Sequence, residues 1–231
     1  MNISKYKPIM YFDENIKGND YVVSDIHGEF INLENKLKKI NFDEKKDRLF
    51  SVGDLTDRGG FSHLVLDWLK KPWFIPVKGN HEMFTIDTKK LSPNQLLQYR
   101  TRIGGEWFFH LTPQKRSKII EEYKKLPIAI EVKTEKGKII IVHADLPTST
   151  WAIFEKNMKT VNYKIITATL HNTIRATTMN QIVPDVRAVI CGHMTGEKVR
   201  KQGNFYLIDT GSGFEGGELT IFDIKHLKEV K

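Results

Sequence analysis

The chain reads as an α/β fold in one domain spanning residues 1–231. Two observations carry that reading: short apolar runs break off at tight polar turns, and amphipathic stretches follow the first of these turns, so that a strand-turn-helix unit repeats. A third is size. A chain of 231 residues suits one large α/β domain with a sizeable core, and no Ser/Gly/Pro-rich stretch divides it.

In chain order, "YVVSDIHGEF" is apolar from Tyr21 to Val23, ends on Asp25 and His27, and leads into the amphipathic "FINLENKLKKI". "RLFSVGDLTDRGG" repeats the pattern, and the following "FSHLVLDWLKK" spaces Leu64, Val65, Trp68 and Leu69 as a helix would. A third strand, "WFIPVKGNHEMF", ends on Asn80, His81 and Glu82. The segment from about 91 to 126 is predicted as a helical cap whose Trp107, Phe108 and Phe109 serve as core. "KIIIVHAD" ends on His143 and "RAVICGHMTG" on His193. His63, His110 and His226 fall on helix or surface segments and read as structural or solvated residues. Cys191 sits inside an apolar strand and reads as buried, not nucleophilic.

Charge and composition narrow the partners. Lys+Arg number 36 against 28 Asp+Glu, a net +8, yet the lysines alternate with acids in "NFDEKKDRLF" and "RSKIIEEYKKL", the pattern of solvated faces and not of a nucleic-acid stripe. No apolar run approaches the ~20 residues of a membrane helix. The opening "MNISKYKPIMYFDENIKGND" lacks the apolar core of a signal peptide, and one cysteine excludes an internal disulfide. A soluble, cytoplasmic protein without membrane or nucleic-acid partners is expected.

One polar strand end is an ordinary turn; five invite another explanation. Loops at the carboxyl ends of neighbouring strands in an open α/β sheet converge on one crevice. That gathers Asp25, His27, Asp54, Asn80, His143 and His193: oxygen and imidazole donors without a thiolate, suited to Mn²⁺, Fe or Zn²⁺ in a catalytic site. Six donors exceed one tetrahedral site but serve two metals about 3.5 to 4 Å apart if one carboxylate bridges. Spacing leaves open which aspartate that is. In "GDLTDRGG", Arg58 offers a bidentate fork for phosphate oxygens and Asp57 a partner to orient a histidine.

"DIHG", "GDLTDRG", "GNHE", "VHAD" and "CGH", in this order, together with "PWFIPVKGNHE", "GGEWFFHL" and "FYLIDTGSGFEGGELT", resemble the calcineurin-like metallophosphoesterases of the phosphoprotein phosphatase type, in particular bacterial and phage serine/threonine protein phosphatases. The likeness runs from Tyr21 to about Phe222. It implies an αββα sandwich with two divalent ions, usually Mn²⁺, held by Asp25 and His27 on one side and by Asn80, His143 and His193 on the other, with Asp54 bridging. It further implies His81 as general acid supported by Asp57, and phosphate binding by Arg58, Asn80 and a later arginine. That arginine falls on Arg175 in "TLHNTIRAT", where His171 stands in place of the family's tryptophan and Thr173 in place of its first arginine. "CGHMTG" departs from the usual "GHTP" behind the last ligand.

The function expected is hydrolysis of phosphomonoesters, with phosphoprotein or phosphopeptide as substrate and a metal-bridging hydroxide as the in-line nucleophile. A phosphodiesterase or dinucleoside-polyphosphate hydrolase on the same site is the nearest alternative. A silent phosphate-binding module would require lost ligands, and none is missing.

Overall fold

The structure is a computed structural model and describes residues 6–178 and 180–230. Its strands are β1 (Ile9–Phe12), β2 (Asp20–Val23), β3 (Arg48–Ser51), β4 (Phe74–Pro76), β5 (Ala129–Thr134), β6 (Gly137–Val142), β7 (Ala188–Cys191), β8 (Arg200–Gln202), β9 (Phe205–Leu207), β10 (Ile221–Asp223) and β11 (Lys228–Val230). The helices are α1 (Phe30–Lys39), α2 (Val65–Trp68), α3 (Asn80–Asp87), α4 (Pro93–Thr101), α5 (Glu106–Phe109), α6 (Pro113–Lys125), α7 (Trp151–Lys159), α8 (Tyr163–His171) and α9 (Ile174–Thr177).

The strands form two sheets, ordered β11-β10-β2-β3-β4 and β1-β5-β6-β7-β9-β8. Side chains alternate between the two faces of each sheet, as the period of a strand requires. Val22, Phe50, Ile139 and Ile141 point into the seam between the sheets. Tyr21, Val23 and Leu49 point outward, beneath Phe30, Leu33 and Leu37 of α1 and Ile119 and Tyr123 of α6. On the opposite outer face Ile140 and Val142 lie beneath Trp151, Phe154 and Met158 of α7 and Leu170 of α8. Helix, sheet, sheet and helix therefore stack as an αββα sandwich.

This arrangement corrects one step of the sequence reading. The ligand-bearing strands are not neighbours in a single open sheet: β2, β3 and β4 pair in parallel in one sheet, and β6 and β7 pair in parallel in the other. Their carboxyl ends still meet at one edge of the seam. A second difference lies after β3, where the expected helix is split into a 3₁₀ turn at Ser62–Leu64 and the single turn of α2. The backbone N–H of Asp57 donates to Ser62 Oγ at 3.0 Å, which draws the start of that segment into the site loop, and Pro72 disfavours helix at Lys71. Within residues 91–126, Ser92 and Thr112 cap α4 and α6 with proline at the first turn. Of the aromatics read as core from the sequence, Phe108 is buried and Trp107 and Phe109 are partly buried against the same cluster, which Ile119 and Tyr123 complete.

Candidate metal centre

The turns after β2, β3 and β7 are sharply bent. His27, Asp54, Asp57, Arg58 and His193 have φ of 47°, 49°, 77°, 64° and 66°, the left-handed region that side chains other than glycine seldom adopt. Such strain persists only where the surroundings impose it, and it concentrates at functional sites. The turns brace one another: the N–H groups of Ile26 and His27 both donate to the Asp54 carbonyl, at 3.0 and 2.9 Å. Glu82, buried at the third position of α3, accepts from the N–H groups of Gly79, Asp54 and Leu55 at 2.7, 3.0 and 2.9 Å. Gly79 and Gly192 are needed for close approach. A Cβ on either would stand 2.2 Å from Asp54 Oδ1 or 1.9 Å from Asp25 Oδ1.

All six expected donors converge. Asp54 lies at the centre, its Oδ2 3.9 Å from His27 Nε2, 3.7 Å from His81 Nε2 and 3.5 Å from His143 Nε2. Asp25 Oδ2 is 3.9 Å from His27 Nε2, and both Asp25 oxygens accept from the His193 N–H. Asn80 Oδ1 is 2.7 Å from His143 Nε2 and 3.0 Å from His193 Nδ1. Two compact donor groups result, His27–Asp54–His81 and Asp54–His143–His193, and Asp54 belongs to both.

Divalent cations fit this set. The Nδ1 atoms of His27 and His143 face the carbonyls of Thr56 and Val52 at 3.1 and 2.8 Å, and a carbonyl only accepts, so each ring carries its proton there. Their Nε2 lone pairs point inward, the tautomer that second partners of metal-bound histidines impose. The His143 Nε2 lone pair then faces the Asn80 oxygen and Asp54 Oδ2, acceptors converging on acceptors. Burial, and then the Asp209 and Asp54 charges, hold the Asp25 carboxyl well above the usual range. Burial favours a neutral Asp54 too, but the surrounding imidazoles, among them His81 with its raised pKa, and the His81 N–H outweigh it and lower the Asp54 pKa. Burial also lowers His27 and brings His193 down to about 4, so that both rings are neutral near pH 7, as ligands must be.

Around the donors lies a second set of groups. Asp57, fully buried, holds His81 Nδ1 at 2.6 Å through Oδ2 and accepts from Trp107 Nε1 at 2.6 Å through Oδ1. Burial opposes the His81 cation, but Asp54 and the Asp57 hydrogen bond outweigh it and raise the His81 pKa. Arg58 is exposed; its guanidinium touches His27 Nε2, comes within 3.5 Å of His81 Nε2 and lies 4.2 Å from the centre of the Phe214 ring. Arg175 is placed differently. Its N–H donates to Oδ2 of Asp145, two residues beyond His143, at 3.0 Å, and its Nη2 donates to the Ile182 carbonyl at 3.4 Å. Glu82, Trp107, Asp209 and Phe214 are the participants that sequence reasoning did not assign. Glu82 was legible in principle, since an acid three residues after Gly79 is a helix-start signal.

A family model described as calcineurin-like phosphoesterase matches residues 21–195. The chain is 33 % identical over 208 residues to serine/threonine-protein phosphatase 2 of Escherichia coli, covering 89 % of this chain and 92 % of that one. It is 32 % identical over 145 residues to a symmetrical bis(5'-nucleosyl)-tetraphosphatase of Coxiella burnetii, but this covers 59 % of the chain and 45 % of the relative. Among solved structures, a candidate diadenosine tetraphosphatase superposes with a TM-score of 0.68 at 21 % identity, over 97 % of both chains, a likeness of fold. Among the described residues no helix is long and apolar enough to cross a membrane.

Proposed function

The chain belongs to the calcineurin-like phosphoesterase family, and from that premise we propose that it is a serine/threonine protein phosphatase that uses two divalent metal ions, Mn²⁺ in first place. One observation carries the hydrolytic reading: a single buried carboxylate, Asp54, is shared by two donor groups. Asp25, His27 and Asp54 would hold one ion, and Asp54, Asn80, His143 and His193 the other. When bound, a pair of such ions lowers the pKa of water towards neutrality and offsets charge on phosphate oxygens.

The chain's own residues do the rest. With its Nδ1–H held by Asp57, His81 presents Nε2 to the site, and its raised pKa keeps a proton available near neutral pH for a departing alkoxide. Serine and threonine alkoxides are poor leaving groups, so this acid matters most for them. Arg58, exposed and backed by the Phe214 ring, presents guanidinium donors to phosphate oxygens. Asn80 carries an amide for a further phosphate contact. Arg175 supplies a second guanidinium only by giving up the Ile182 carbonyl.

The similarity to a protein phosphatase over 89 % of the chain, against 59 % for the tetraphosphatase, supports a phosphoprotein substrate over a dinucleotide. The test is a substrate panel with Mn²⁺: phosphoserine, phosphothreonine and phosphotyrosine peptides beside diadenosine tetraphosphate, with and without chelator. Phosphoserine and phosphothreonine peptides should be hydrolysed fastest and chelation should abolish turnover. Preference for the dinucleotide would reject the phosphoprotein reading, and turnover by fully demetallated protein would reject the metal centre.

A further inference from the structure

A groove of about 930 Å³ opens beside the metal centre, with Asn80 at one end. Met83, Phe84 and Ile86 of α3 form one wall, and Ile166, Leu170 and His171 of α8 form the other. Asn80 is a ligand of the proposed centre, so a substrate held there has its neighbouring atoms at the mouth of this groove. Along α3 the groove runs 8 residues, from Asn80 to Asp87, which at 1.5 Å per residue is about 10 Å. An extended peptide covers that length with about three residues.

The groove is asymmetric in charge. Lys78, Lys90, Lys124 and Lys159 line it, against Asp87 as its one lining acid, and Lys90 already pairs with Asp87 at 2.7 Å. Lys78 is the telling one. The residue is 6 % exposed, yet among the described residues its Nζ donates only to the Lys124 carbonyl, at 3.5 Å, and otherwise lies 5.1 Å from the centre of the Tyr6 ring. Burial pulls its pKa down to about 8 against the more distant Glu82 and Asp87 charges, and with spare donors and no described carboxylate within 4 Å the ammonium would gain from an added anion. The charges come from four separate segments, which is why dispersed lysines in the sequence concealed them.

We propose that this groove selects phosphopeptides bearing acidic residues within about three positions of the phosphorylated residue, the apolar walls taking the peptide's hydrophobic side chains and the lysines its carboxylates. This rests on the protein-phosphatase reading. A dinucleotide is the less suited occupant, because the lysine charge lies along an apolar trough and not around a second polyphosphate pocket.

The experiment compares phosphoserine peptides that carry Glu at the three positions on one flank, or on the other, with the same peptides carrying Ala, on wild-type protein and on a Lys124→Gln/Lys159→Gln double variant. para-Nitrophenyl phosphate, which carries no flanking residues or carboxylates, reports on the metal centre apart from the lysine contacts. In wild type, one Glu-flanked series should show kcat/KM about tenfold above its Ala counterpart, the scale of a few partly exposed ion pairs. In the double variant that ratio should fall by at least about threefold, with aryl phosphate turnover unchanged. Hydrolysis of all peptides without preference for Glu on either flank overturns the groove's role while the phosphatase reading stands. Hydrolysis of no peptide, with diadenosine tetraphosphate turned over, overturns both.

Discussion

His81 has its two ring nitrogens committed to different partners. Nδ1 is held by the Asp57 carboxylate at 2.6 Å, and Nε2 faces Asp54 Oδ2 at 3.7 Å. A metal ligand and a proton donor would both place Nε2 inward and both use a carboxylate on Nδ1; burial opposes the His81 cation, but the Asp54 charge and the Asp57 hydrogen bond outweigh it and raise the pKa, which suits the donor. His81→Asn should therefore leave metal content near wild type while slowing alkyl phosphates at least ~10²-fold more than aryl phosphates, whose leaving groups need no proton. Loss of metal, or equal loss on both substrate types, would make His81 a ligand or a positioning group instead. The participants of this residue-scale picture were legible in unequal degree. Asp25, His27, Asp54, Asn80, His143 and His193 announce themselves because each ends an apolar run. Trp107 does not, since its indole reaches Asp57 from 50 residues away and sits in a stretch that reads as core. Asp209 lies close enough for its charge to raise Asp25, but nothing local distinguishes it from other turn aspartates.

The elements matter through where they stop. β7 ends at Cys191, and Gly192 must then turn so tightly that its N–H donates to the His143 carbonyl at 2.8 Å while its α-carbon passes against Asp25. A methyl there would lie 1.9 Å from Asp25 Oδ1, inside any real contact, so either the carboxylate or the His193 turn must move. Gly192→Ala should thus lower metal stoichiometry measured on the purified protein and reduce turnover, while the circular dichroism of the folded chain is retained. Full metal occupancy with wild-type rates would show that the turn relaxes elsewhere. Strand existence was readable from apolar runs, and α1 from Phe30, Leu33 and Leu37 on one face. Pairing was not. Nothing in a run such as "KIIIV" says whether its neighbour belongs to the same sheet, because both faces of every central strand in this sandwich are buried. The short edge strands β8 and β11 escaped for the opposite reason, their exposed, charged residues offering little apolar signal.

At the scale of the whole molecule, the sandwich determines which groups are available to attack phosphorus. Cys191 is fully buried in β7, its Sγ near the Tyr206 carbonyl at 3.7 Å, and burial pushes its thiol far above the range in which a thiolate forms. Asp54 spends Oδ1 on the His81 N–H and sets Oδ2 among three histidines. Asp25 accepts from the His193 N–H, and Asp57 is divided between His81 and Trp107. The carboxylates are engaged, the thiol is buried, and the inward histidine nitrogens are those proposed to hold metal or deliver the proton, so the attacking oxygen is expected to come from water. One displacement then separates ester from product. Configuration at phosphorus should invert with a chiral phosphate ester, and ¹⁸O from solvent should appear in phosphate within the first turnover, whereas a covalent route would make two displacements and return net retention. Rapid quench should trap no phosphorylated protein. Retention, or a trapped phosphoryl group on Asp, His or Cys191, would replace direct hydrolysis by a two-step mechanism even if the two ions are held as proposed.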